Sequence, residues 1–307
     1  MCNLIQACRL VCPGNSGFGR WASPPFFPLK VIRNGFALNS MPGVRTIPTE
    51  FSSEGELLRG DFVAPEGDGP FPGICKFHGL PGSPNQVSGI STRLAEAGFL
   101  VLTFDFRGFR RSEGIFSLAG EVTDAKIAIT HLINSDLVAP GWIGVYGASY
   151  GGAVAVCAAA RDSRISAVCL RAPVYDTHAF ALSPLIRPEV DRILKETPDE
   201  MHGLVDPPLR KRILDRMVDD GRRFNPMNEI SKISPRPLLV ITGDADVSID
   251  VDGVRRLYDL AGEPKELVIV EGADHVLSNP RAYEETVSSV VAWFQCECPT
   301  NEKIDGH

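Results

Sequence analysis

The chain has 307 residues, a formal net charge of −7, 44% hydrophobic residues and 22% charged ones. These are proportions of an ordinary globular protein, and the acidic balance argues against nucleic acid or an anionic membrane as the main partner. No apolar run approaches the roughly 18 residues that a membrane span needs, and eight cysteines are too few for a disulfide-dense scaffold of this length, so a reducing, cytoplasmic setting is expected.

Residues 1–49 contain no Asp or Glu but carry Arg9, Arg20, Lys30, Arg33 and Arg45. Arg9 interrupts the one apolar stretch that could serve as a secretory signal. The irregular composition, dotted with Pro and Gly, reads as a disordered leader over 1–45 or as a stretch upstream of a true start at Met41. From about Phe51 the pattern alternates. Strands are expected at Leu57–Val63, Gly73–Phe77, Leu100–Phe106, Ile143–Gly147, Ala167–Leu170, Leu238–Thr242 and Leu267–Val270. Most are near-continuous apolar runs, as parallel strands covered on both faces should be. Helices are expected at Gln86–Ala97, Leu118–Leu132, Gly151–Ala160, Asp252–Ala261 and Pro280–Phe294, the last opened by Ser278-Asn279-Pro280. This alternation predicts an α/β fold: a mostly parallel, twisted sheet with helices on both faces. The core spans 46–175 and 235–299, and 300–307 form a tail. Residues 176–234 break the alternation, with amphipathic segments around Pro188–Lys195 and Pro207–Asp220, and read as a helical cap inserted over the sheet's carboxyl edge.

Gly147-Ala148-Ser149-Tyr150-Gly151-Gly152 joins an apolar strand to a helix of small residues. A serine at the apex of such a turn is presented as a nucleophile, and the flanking glycines fit where a Cβ would collide with a neighbouring strand or helix. Backbone N–H groups at the new helix's N-terminus point to where an oxyanion would form. A serine hydroxyl needs a base that is itself oriented by a third group. His275, in the loop after Leu267–Val270, is placed to be that base. The loop after Leu238–Thr242 offers two carboxylates, Asp246 as the first choice and Asp244 in reserve.

The order Ser…Asp…His resembles the α/β-hydrolase fold, close in pattern to the esterases and serine-aminopeptidase-like hydrolases of that superfamily, over roughly residues 52–297 apart from the cap. His78-Gly79-Leu80-Pro81-Gly82 is similar to the family's oxyanion loop, which implies that the Leu80 and Tyr150 amides are the two oxyanion donors, with His78, Gly79, Gly147 and Gly151 in supporting roles. His78 itself is expected to shape that loop through a side-chain hydrogen bond. Asp105-Phe106-Arg107-Gly108-Phe109-Arg110-Arg111-Ser112-Glu113-Gly114 resembles the family's D-x-R-G-x-G-x-S-x-G loop, and Gly243-Asp244-Ala245-Asp246 its acid loop, in which the last Asp is the triad member; that implies Asp246.

One departure from the family pattern is Arg110, which stands where a glycine is usual and is followed by Arg111. The pair is read either as a solvated, salt-bridged couple or as a site for an anionic substrate group. Phe180, Leu182, Leu185 and Ile186, which open the cap, are candidates to line an acyl pocket. Ser248, Asp250, Asp252 and Gly253 superficially resemble a calcium loop but are better placed to cap the following helix. Cys296-Glu297-Cys298 has no second pair nearby and reads as incidental, and no dinucleotide fingerprint, P-loop or zinc spacing occurs. The expectation is therefore a serine hydrolase without cofactor or metal, acting on a small-molecule carboxylic ester, with self-association left open. The alternatives are a small peptidase or amidase, as Ser149-Tyr150-Gly151-Gly152 also resembles prolyl-oligopeptidase-type enzymes, a thioesterase or acyltransferase, and a non-catalytic binding protein.

Overall fold

The computed structural model of the chain describes residues 43–83, 85–184 and 186–299. The expected leader up to residue 42, Met41, Leu185 and the expected tail at 300–307 lie outside them. Eight strands form one sheet: β1 (Val44–Ser53), β2 (Glu56–Pro65), β3 (Phe71–Phe77), β4 (Leu100–Phe104), β5 (Val138–Ala148), β6 (Ala167–Arg171), β7 (Leu238–Gly243) and β8 (Lys265–Val270), in the order β1-β2-β4-β3-β5-β6-β7-β8. β1 and β2 pair antiparallel with their neighbours, and β4-β3-β5-β6-β7-β8 are parallel throughout. The expected fold class is what the chain adopts.

β1 corrects the expected strand set and the leader boundary, since Val44 and Arg45 already belong to it. It escapes an apolar-run criterion because it is an edge strand: Ile47, Thr49, Phe51 and Ser53 turn inward while Thr46, Pro48, Glu50 and Ser52 are exposed. Pro48, which cannot donate to a ladder, is tolerated at such an edge.

The period-2 alternation of the inner strands divides the core into two layers. Leu100, Leu102 and Phe104 of β4, with Ile143 and Val145 of β5, face α2 (Leu118–Ile133), α3 (Tyr150–Ala159) and α8 (Val251–Leu260). Val101, Trp142 and Tyr146 face α1 (Ile90–Glu96) and α9 (Pro280–Glu297). All ten residues of α3 are buried, so the apolar run that forms it is apolar all round rather than on one stripe. Asp250 caps α8 by accepting the Gly253 amide at 2.7 Å and also accepts the Tyr175 hydroxyl, which accounts for one acid of the calcium-like stretch.

Between β6 and β7 the chain folds as helices α4 (Thr177–Leu182), α5 (Ile186–Glu196), α6 (Pro207–Arg223) and α7 (Pro226–Glu229), with single 3-10 turns at Pro198–Glu200 and Ile230–Ile233. The insertion is tied to the core by Asp220, whose Oδ2 accepts the Ala119 amide at the start of α2, and by an isolated bridge between Phe109 and Met201.

Candidate active site

Ser149 lies between β5 and α3 with φ 54° and ψ −122°, a left-handed conformation that a side chain rarely adopts. The turn holds because the residues two places to either side, Gly147 and Gly151, have no side chains. A Cβ on Gly151 would stand 2.4 Å from the carbonyl oxygens of Phe77 and His78, and one on Gly147 would stand 2.3 Å from the Gly151 oxygen. The Ser149 amide donates to the carbonyl of Arg171, the last residue of β6, at 2.9 Å.

The loops after β7 and β8 meet at this turn. His275 Nε2 lies 3.0 Å from Ser149 Oγ, and His275 Nδ1 lies 2.7 Å from Asp246 Oδ2. With Asp246 ionised, Nδ1–H donates to the carboxylate and Nε2 is left to accept the serine proton. Asp246 is itself fixed, since its Oδ1 accepts the Ser248 and Ile249 amides at 2.8 and 2.9 Å. Burial alone pushes this carboxyl up, but the hydrogen bonds from His275 and from the two amides outweigh it and hold it below the usual carboxylate range. Asp244 turns away and accepts the Gly272 amide at 2.7 Å, bracing the loop that carries His275. Of the two candidate acids, the fold brings Asp246 to the histidine.

Gly79 sits against the serine, and a Cβ there would be 3.1 Å from Ser149 Cβ. Leu80 follows in the same loop, and Tyr150, as the first residue of α3, has an amide without an intrahelical acceptor. Neither amide has a backbone acceptor among the described residues. His78 shapes the loop from within: its Nδ1–H donates to Gly79 O at 2.7 Å and its Nε2 accepts the Phe106 amide at 3.0 Å. Burial pushes its pKa down to about 3, so the ring is neutral and in a single tautomer.

The other candidates separate. Arg110 and Arg111 are not free cations awaiting an anion. Arg110 pairs with Asp105 and Glu200, and Arg111 with Asp105 and Asp61. Phe180 packs its ring 5.7 Å from that of Tyr150. Leu182 is 62% exposed, whereas Ile186 is buried in the main core, so neither is placed as the wall of an apolar cleft. Among the described residues no group of His, Cys, Asp and Glu is arranged to hold a metal ion.

Two features escape a reading of the sequence. The Arg171 side chain donates to the His275 carbonyl at 2.6 Å, so this residue touches the serine through its main chain and the histidine through its guanidinium. A basic residue closing the apolar run Ala167–Leu170 was the available signal. Behind the His275 loop, a cavity of about 10 Å³ is lined by Arg171, Thr242, Asp274 and Thr286 among others, and the buried Thr242 hydroxyl finds no protein partner there. That volume is about what one water molecule needs.

An open, mostly parallel sheet that presents a serine on a strained turn, hydrogen-bonded to a histidine from a later loop, is the architecture of the α/β hydrolases. Comparison with known proteins agrees. The family description of the X-Pro dipeptidyl-peptidases (S15 family) matches residues 54–183. The chain is 30% identical over 234 residues to the uncharacterized protein YfhR of Escherichia coli strain K12, covering 74% of this chain and 72% of that one. Among solved structures, the α/β hydrolase GrgF from Penicillium sp. sh18 superposes with a TM-score of 0.63 at 22% identity, covering 82% of this chain and 98% of its own. Est1E from Butyrivibrio proteoclasticus, solved with ferulic acid bound, gives 0.65 at 18% identity over 80% and 98%. The chain belongs to the α/β-hydrolase superfamily.

Proposed function

We propose that the protein is a serine hydrolase that cleaves small carboxylic esters through an acyl-enzyme on Ser149. The observation that carries the reading is the continuous hydrogen-bonded chain Ser149–His275–Asp246 at the sheet's carboxyl edge, where open α/β sheets bind their ligands. Ser149 Oγ attacks the ester carbonyl while His275 Nε2 takes its proton, and Asp246 stabilises the imidazolium that forms. The Leu80 and Tyr150 amides receive the tetrahedral oxyanion. On collapse the alcohol leaves with the proton from His275. Water, deprotonated by the same nitrogen, then attacks the acyl carbonyl and releases the acid and free Ser149. The helices between β6 and β7 act as a cap over this edge, and Phe180 of α4 contacts the Tyr150 ring beside the nucleophile turn.

The S15 match favours a second reading, cleavage of an amide or short peptide by the same residues. A panel of p-nitrophenyl esters of increasing chain length, run beside aminoacyl-proline and other peptidyl anilides, separates the two. The ester reading expects kcat/KM to be larger for a short ester than for any anilide by more than their intrinsic reactivities explain, and a reversed order would overturn it. Ser149→Ala should lower ester turnover at least about a thousandfold with the fold intact by circular dichroism. Retention of more than about a tenth of the rate would remove Ser149 from the mechanism.

A further inference from the structure

We propose that Arg110 is a positioning residue that locks the oxyanion loop to the helical insertion, so that the seating of the insertion sets the geometry of the Leu80 amide. The inference rests on the serine-hydrolase reading above and deepens it.

Arg110 has φ 42°, in the left-handed region where glycine is the unstrained choice. A non-glycine residue there needs a compensating contact, and the side chain supplies several. One terminal nitrogen donates to the Pro81 carbonyl at 2.8 Å, directly after Leu80, and to Glu200 Oε2 at 3.2 Å. The other reaches Asp105 Oδ1 at 3.4 Å. Asp105 follows β4 in the core, Pro81 belongs to the loop beside Ser149, and Glu200 belongs to the insertion. Arg110 is 9% exposed and Asp105 1%, so these contacts act with little solvent screening. The guanidinium Nε is buried without a partner among the described residues, a cost accepted by a side chain stretched across three elements.

The main chain reinforces the join. The Arg110 amide donates to Glu200 O at 3.3 Å, the His202 amide to Gly108 O at 2.8 Å, and His202 Nε2 to Arg110 O at 3.1 Å. A shift of residues 200–202 is therefore passed to Arg110 and through its fork to Pro81. Lysine has one point charge and no fork with which to make this three-way contact. The ordinary glycine would relieve the backbone and lose the connection.

The test uses the full chain and a fluorophosphonate. Ser149 Oγ forms a bond to phosphorus, fluoride leaves, His275 takes the serine proton, and a phosphoryl oxygen comes to lie in the oxyanion position. Arg110→Gly should react at least about tenfold more slowly than the wild type, with the rate partly restored by guanidinium ion at a sub-denaturing concentration, since a loosened oxyanion donor is the defect. Glu200→Gln should slow the reaction about threefold in the wild-type background and not at all in Arg110→Gly, because both variants cut the same connection. Labelling of Arg110→Gly within about twofold of wild type, or an equal Glu200→Gln effect in both backgrounds, would overturn the proposal. If Arg110→Gly does not fold, Arg110→Lys takes its place under the same thresholds. A wild-type protein that does not react, or a Ser149→Ala protein that still does, would overturn the serine-hydrolase reading itself and the proposal with it.

Discussion

Arg171 joins Ser149 to the His275 loop within one residue, its carbonyl receiving the Ser149 amide and its guanidinium donating to the His275 carbonyl. Arg171→Met keeps length and packing but frees the His275 loop, and displacement of a reacting group by about 1 Å can cost up to a hundredfold. The expected result in steady-state kinetics on p-nitrophenyl acetate is a kcat lowered about tenfold with KM nearly unchanged. Asp246→Asn should lower kcat far more than Asp244→Asn, because only Asp246 fixes the His275 tautomer, whereas Asp244 braces a loop amide. His78 carries a pH signature. Its folded pKa of about 3 lies below the 6.5 of an unperturbed histidine, so between these values the unfolded chain binds a proton that the folded chain does not. Stability contributed by the neutral ring is thus complete above about pH 6.5 and is lost as pH falls toward 3, at up to about 1.4 kcal/mol per pH unit. Urea unfolding of His78→Gln should show a lower stability at neutral pH and a flatter dependence across that window than the wild type.

Ser149, His275 and the pair Asp244 and Asp246 were legible as candidates because each lies in a loop directly after an apolar strand, and loop order assigns such residues to the sheet's carboxyl edge without choosing between the two acids. Arg171 and Glu200 were not readable in that way. Their significance depends on β6 lying beside β5 and on the insertion folding back to Phe109, and neither fact is written in local spacing. Elements fared likewise: β3 to β8 each carry an apolar run, while β1 hides in a one-sided, polar alternation whose apolar members are Val44, Ile47 and Phe51. The helix α3 allows a direct test of the turn that begins it. Gly151→Ala would set a methyl group 2.4 Å from two carbonyl oxygens, so the expectation is loss of fluorophosphonate labelling together with a lowered melting temperature. In the insertion, Ile186→Ala should destabilise by about 2–5 kcal/mol, as large-to-small changes in a packed core do, without altering the ratio of kcat/KM for a long ester to that for acetate. Phe180→Ala should change that ratio, because the Phe180 ring packs against Tyr150 of the site.

Across the whole chain, no helix among the described residues is long and apolar enough to cross a membrane, and the parallel part of the sheet joins strands from both ends of the sequence. The two ends of the Ser149–His275 hydrogen bond are 126 residues apart in sequence, and Ser53 reaches Asp124 across 71. Contacts of such long range are closed late and slowly, because the loop entropy must be spent before the pairing is gained. The helices, built from local contacts, need no such closure. On dilution from denaturant the helical circular dichroism should therefore return ahead of reactivity toward the fluorophosphonate, and simultaneous recovery would show that sheet closure is not the slow event. On the proposed mechanism Ser149 reacts only where β5, β7 and β8 have all found their places, so each labelled serine would count one chain that has completed folding, and partly assembled chains would pass through refolding chemically silent.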